Sequence, residues 1–202
     1  MTGTPPRAAR ASGMIRVAAM IAIVTALASC SGNSGSGPHR VALPHSVAGY
    51  SAGSLQAGST GTVFYADPHV SDLQGGQYHL TTGAQGVASP GTILLDAGHL
   101  SRAAPGLALT DIYARFKAIV ADAGYNPFGT MQAVAAGPLG GQASCWPVLA
   151  SASSPAAGGG AMCAWADHDT FGLLLAQGAS TESLAAIMLR FRSAIEKPGA
   201  AS

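Results

Sequence analysis

The residues of this 202-residue chain whose types and spacing could do chemistry are few. Asp167-His168-Asp169 is the densest ionisable cluster. A D-x-D spacing can hold a cation, and the central histidine could serve as a third ligand or a base. The commoner meaning is a solvated turn, because aspartate side chains accept hydrogen bonds from local backbone amides. Gly49-Tyr50-Ser51-Ala52-Gly53 matches G-x-S-x-G, which places a nucleophilic serine between a buried strand and a helix. Neither flank is present: Pro44 precedes the motif closely and a polar, glycine-rich run follows it. With 27 glycines in the chain, a chance match is expected. Cys145 and Cys163 are either a disulfide or half of a metal site, and metal binding needs two further Cys or His ligands where only His168 is near. His39, His45, His69, His79 and His99 are scattered, with no HExxH pattern. Arg190 and Arg192 could receive an anion, but the C-terminal end of a helix dipole accounts for them more simply.

The remaining cysteine speaks of address. Arg7, Arg10 and Arg16 form an acid-free positive segment, and residues 17–27 are apolar apart from Thr25. That is the pattern of an export signal. It is shorter than the ~20 residues a spanning helix needs. The run closes on Leu27-Ala28-Ser29-Cys30, which resembles the lipobox of bacterial lipoproteins. The resemblance implies cleavage before Cys30 and a diacylglyceryl thioether on its sulfur, so the partner is the membrane. Ordinary secretion is the competing reading, since Ala26-Leu27-Ala28 satisfies the A-x-A rule. With Cys30 lipidated, two cysteines remain in an exported chain, and a Cys145–Cys163 disulfide is the natural inference.

Residues 31–202 carry seven Lys and Arg against nine Asp and Glu, a net of −2. Polybasic attraction to an anionic membrane is therefore missing, and no basic patch for nucleic acid exists. No phosphate-cradling loop appears either, because neither Gly140-Gly141 nor Gly158-Gly159-Gly160 leads into the required helix and lysine. No cofactor is expected.

The elements that must position these groups follow from periodicity. After the signal, 1–29, residues 30–43 read as a lipid-anchored flexible tether rich in Gly and Ser. Residues 44–106 resist assignment, with short strand candidates at 62–65, 77–82 and 92–95. Residues 107–197 read as an α-β-β-β-β-α core. A helix over 110–123 is capped by Thr110, with Ile112, Phe116, Ile119, Val120 and Ala123 on one face. Strands follow at 131–136, at 142–148 ending near Pro147, and in a hairpin of 161–166 with 170–177. A last helix, 181–196, has the stripe Leu184, Ile187, Met188, Phe191 and Ile195. The expected fold class is α+β: an antiparallel four- to five-stranded meander with two helices packed on one face and one disulfide.

Gly140-Gly141-x-x-x-Cys145, Cys163-Ala164-Trp165-Ala166-Asp167-x-x-Thr170-x-Gly172 and Leu189-Arg190-x-Arg192 resemble a pattern in uncharacterised lipidated or membrane-anchored proteins of high-GC Gram-positive bacteria. That resemblance implies no biochemical activity. The function expected is a non-enzymatic binding module of the cell envelope with an unknown ligand. The alternatives are an envelope hydrolase using Ser51 or Asp167, His168 and Asp169, and a structural envelope component.

Overall fold

A computed structural model describes residues 37–57, 70–81, 90–101, 106, 108–111, 113–114, 125–150 and 158–199. They belong to the second of two compact units, Met1–Ser34 and Gly35–Ser202. The export signal, Cys30, the strand candidate at 62–65 and residues 115–123 of the first helix lie outside the described residues.

The strands are β1 Gly37–Val41, β2 Ser46–Val47, β3 Tyr50–Ala57, β4 Val70–Leu80, β5 Thr92–Leu100, β6 Tyr125–Pro127, β7 Gln132–Val134, β8 Gln142–Ala150, β9 Gly159–Ala166, β10 Thr170–Gln177 and β11 Glu196–Gly199. Helix α1 is described over 106–114 except 107 and 112, and α2 is Thr181–Ile195. Nine strands form one antiparallel sheet in the order β2-β3-β4-β5-β10-β9-β8-β6, with β7 also on β8. β1 and β11 make a separate antiparallel pair.

The class is α+β with one disulfide, but nine strands replace the four or five expected. Beyond the strands expected in 107–197, β6 is the short Tyr125–Pro127, and β2 to β5 come from 44–106, where local signals are poor: Gly75-Gly76 interrupts β4, and Asp72 adopts a positive φ of 50° beside a register shift. Long-range pairing supplies what local propensity does not. Residues 37–41 are likewise strand rather than tether, because β11 pairs with them.

The two helices do not share a face. Alternation along β9 sends Ala161, Cys163 and Trp165 to one side and Met162, Ala164 and Ala166 to the other. Leu184, Met188, Phe191 and Ile195 of α2 cover the first side. Ala108 and Leu109 of α1 lie on the second, where Tyr113 stacks on Trp146 at 5.4 Å. Each face of the central strands β5, β10, β9 and β8 is apolar, and each needs its own cover. Thr110 does not cap α1: the helix is already formed at 106, and the Thr110 hydroxyl donates back to the Gly106 carbonyl. Ser180 does cap α2, in a reciprocal box with Ser183.

Under α2, Phe191 meets Tyr50 and Tyr78 edge-on, with centroids 5.8 and 5.1 Å away. Both phenols are satisfied, Tyr50 donating to the Pro90 carbonyl and Tyr78 to that of Pro44. Burial pushes the Tyr78 phenol up to about 12. Pro147 lies within β8 rather than ending it. Its carbonyl accepts from Phe128 N–H, so its missing donor faces the same side, in the gap between β6 and β7. The ladder loses nothing there.

Cys145 and Cys163 are directly opposite in the β8–β9 register and are bonded, with Cα atoms 4.0 Å apart. For a loop of this size the chain-entropy model gives about 3 kcal/mol. Urea unfolding with and without dithiothreitol should differ by about that amount. A difference near zero would show that the bridge does not constrain the unfolded chain.

Candidate functional site

The Asp167-His168-Asp169 segment is a turn, as expected, but its first carboxylate is not solvated. Asp167 follows β9, and its Oδ1 accepts from the amides of Asp169 and Thr170 at 2.8 and 2.7 Å, which is why the chain reverses here. Its Oδ2 turns inward to Arg192 Nη2 at 2.7 Å. The carboxylate is buried, and so are Thr170, Arg192 and Glu196.

Arg192 is the hub. Its Nε donates to Glu196 Oε2 at 3.0 Å, one turn on along α2, and its Nη1 donates to the carbonyls of Ala136 and Gly140, each at 2.7 Å. A planar fork of donors suits such a set, where an ammonium would not. Glu196 Oε1 accepts from Trp165 Nε1–H and lies 2.8 Å from Thr170 Oγ1, which is also 3.0 Å from Asp167 Oδ2. His39 of β1 closes the outer side, its Nδ1 3.3 Å from Asp167 Oδ2.

The sequence positions that feed this cluster are the patterned ones. The Trp165 indole lies across β10 at Gly172, where a Cβ would come within 2.0 Å of the ring. Gly141, at φ +81°, presses against the Ala166 carbonyl and Asp167, where a Cβ would come within 2.4 Å. Glycine is required at both for the ring and the turn to seat.

Burial alone would raise the Asp167 carboxyl. The amides of Asp169 and Thr170, the Arg192 charge and the Thr170 hydroxyl outweigh it and hold the group below its ordinary value. Glu196 goes the other way, raised by burial and by Asp167 despite Arg192. His168 is exposed, and the hydrogen bond and charge of Asp169, 3.0 Å away, raise it. Of the three residues read as a cluster, only Asp167 therefore points inward.

His39, Asp167 and Glu196 are the grouping among the described residues with ligand atoms close enough to consider for a metal, within 4.8 Å of one another. Arg192 occupies one oxygen of each carboxylate, and Trp165 and Thr170 hold the other Glu196 oxygen. The set is an ion network with a resident cation, not a metal centre.

Ser51 lies on β3, in a two-residue hairpin whose Ala48 and Gly49 have φ of 53° and 86°. A strand, not a helix, carries the serine onward, so the nucleophile elbow is not formed. His79 is its cross-strand neighbour, and the His79 Nδ1 pairs with Thr92 Oγ1 at 3.2 Å. Thr92 pairs with His79, whereas His99 pairs with Thr170. Seven residues of β5 thus separate Ser51 from the Asp167 cluster, about 23 Å along the strand.

A different surface stands out. Among the described residues the exposed large hydrophobics are Phe128 at 46%, Met131 at 40% and Leu149 at 48%. All three belong to one end of the sheet: Phe128 bonds to Pro147, Leu149 is two residues beyond Pro147 on β8, and Met131 immediately precedes Gln132, which pairs with Cys145. No Asp, Glu, Lys, Arg or His occurs from Ala123 to Ala166. A cavity of about 260 Å³ is lined by Gln77, Thr92, Leu94, Tyr125, Leu175 and Gln177, with no carboxylate, histidine or cysteine.

No family model, curated protein or solved structure matches this chain. Chemistry must therefore be read from the residues themselves. The inward set spends its donors and acceptors on itself, while the outward set is apolar.

Sequence reasoning missed Arg192 as an interior residue. The available signal was its spacing, four residues after Met188 on the apolar stripe of α2.

Replacing Arg192 by Met leaves two buried carboxyls without their cation, and should cost about 3–5 kcal/mol in urea unfolding at pH 7. Arg192→Lys should recover little of it, because the fork is lost. Asp167 has a lowered folded value, so its stabilisation is present above the unfolded value near 3.8 and is lost as pH falls through the folded one. Wild type should lose stability on going from pH 5 to pH 2, and Asp167→Asn, weaker at pH 7, should lose less over that window.

Proposed function

We propose that this chain is a cell-envelope lipoprotein, held to the membrane through Cys30, whose domain binds a partner protein and carries out no reaction of its own. The observation that carries the binding reading is the gathering of Phe128, Met131 and Leu149 on an edge drawn from an uncharged stretch. Depletion of charge together with exposed aromatic and Met side chains is the composition of an interface core. Exposed apolar patches on small domains mark contact sites.

The lack of charge also selects the occupant. An anionic polymer, a charged peptide or a phosphorylated ligand would find no counter-ion among residues 123–166. The partner that fits is an envelope protein presenting a similarly uncharged, apolar surface. Tyr50 and the Asp167 side chain serve less well as contacts, because both are buried.

Support for the address is the run Leu27-Ala28-Ser29-Cys30 behind its apolar segment. Among the described residues no helix is long and apolar enough to cross a membrane. One acyl chain binds a bilayer marginally and two bind it stably, so Cys30 would carry the attachment.

Two experiments test the proposal. Cys30→Ala should release the protein from the membrane fraction, and a mature N-terminus bearing an unmodified Ser29 would contradict the anchor. A photo-cross-linking residue at position 149 in intact cells should give an adduct with one envelope protein, with none from the exposed position 182. The purified partner should then bind Leu149→Glu at least about tenfold more weakly than wild type. Adducts solely with a second copy or with lipid, or an unchanged affinity, would refute the partner assignment.

A further inference from the structure

The hydrogen-bond count in the buried cluster is one proton short. Asp167 Oδ2 and Glu196 Oε1 both approach the Thr170 hydroxyl, at 3.0 and 2.8 Å. A hydroxyl has one proton to donate. Either the two oxygens share that proton in a three-centre bond, or one of them bears a proton and donates to Thr170 Oγ1, which relieves the approach of two buried carboxylates to one hydroxyl.

The neighbours decide which. Asp167 takes two backbone amides on Oδ1 and the Arg192 fork on Oδ2, the environment of an ionised carboxylate. Glu196 takes only the Arg192 Nε and the neutral indole of Trp165. Buried charge is tolerated when it is matched, and one guanidinium matches one carboxylate.

We infer that Glu196 carries a proton at neutral pH, with its Oε1–H donating to Thr170 Oγ1 and the Thr170 hydroxyl donating in turn to Asp167 Oδ2. The cluster then holds one ion pair, Arg192 with Asp167, and one neutral acid. The titratable and charged groups facing Glu196 are Arg192 on α2, Asp167 on the β9–β10 turn and His39 on β1. His99 stands beside Thr170 across the β5–β10 register, and Asp169 accepts weakly from the His39 amide at 3.4 Å.

The device acts on the pair β1–β11. Glu196 is the first residue of β11 and pairs with Val41 of β1, the strand that follows the Cys30 segment in sequence. The Glu196 carboxyl is raised in the folded state by burial and by Asp167. Its contribution to stability is therefore fully present below the unfolded value and is lost as pH rises through the folded one. Alkaline pH places an unmatched charge at the base of β11, and the β1–β11 pair is where the structure yields.

Glu182 and Glu196 are the only glutamates in the chain. Carboxyl-¹³C glutamate labelling of the detergent-purified full chain therefore gives two signals, and Glu182→Gln, an exposed change, assigns them. At pH 7 the Glu196 signal is expected at the position of a neutral acid with Glu182 at that of a carboxylate, and the Glu196 midpoint should lie above that of Glu182. Protection factors of the Arg40 and Val41 amides, with the intrinsic pH dependence of exchange divided out, should fall once pH passes the Glu196 midpoint while those of β9 and β10 hold. Two carboxylate signals at pH 7, or a Glu196 midpoint at or below that of Glu182, would overturn the assignment.

Discussion

A guanidinium buried at the end of a sheet must have every donor met, and that constraint organises this domain. Arg192 is 1% exposed and reaches Asp167, Glu196 and the carbonyls of Ala136 and Gly140. Those partners come from the β9–β10 turn, the α2–β11 junction and the β7–β8 turn. One side chain thus fixes the relative position of three parts of the chain distant in sequence. Removing any partner would leave a polar group dry, which costs more than a missing contact.

The apolar core and the ion network are mutually dependent. Trp165 belongs to both: its ring lies across Gly172 in the core under α2, and its N–H closes the Glu196 side of the network. The Cys145–Cys163 bridge pins the neighbouring β8–β9 register, so that Trp165 arrives within reach of Glu196 and Asp167 within reach of Arg192. Burial of this kind is weak support for stability in itself but strong support for a single arrangement, since alternatives strand a charge.

What the sequence showed was local. The hairpin of β9 and β10 follows from alternation on either side of Asp167, and α2 from its 3.6-residue apolar stripe. The disulfide follows from cysteine parity in an exported chain. What stayed hidden depends on distant partners. β1 contains Gly37 and Pro38 and reads as tether until β11 is set beside it. The candidates at 77–82 and 92–95 fall on β4 and β5, but the full length of β4 hides behind glycines and a positive-φ aspartate. Asp167 has the look of a surface turn because its cation lies 25 residues further along, and two-faced burial of β9 and β10 gives no cue that the helices would take opposite sides.

The exposed apolar edge and the buried charged end are separate features of one sheet, and the rigidity of the second is what allows the first to present a fixed surface. Native-state hydrogen exchange of the Trp165 indole N–H and the amides of Asp169 and Thr170 tests that rigidity most directly. If Arg192 and its partners lock the sheet, all three exchange only through global unfolding, with the free energy of the slowest β9 and β10 amides. Exchange of these groups through a low-energy local opening, while β9 and β10 stay protected, would contradict it.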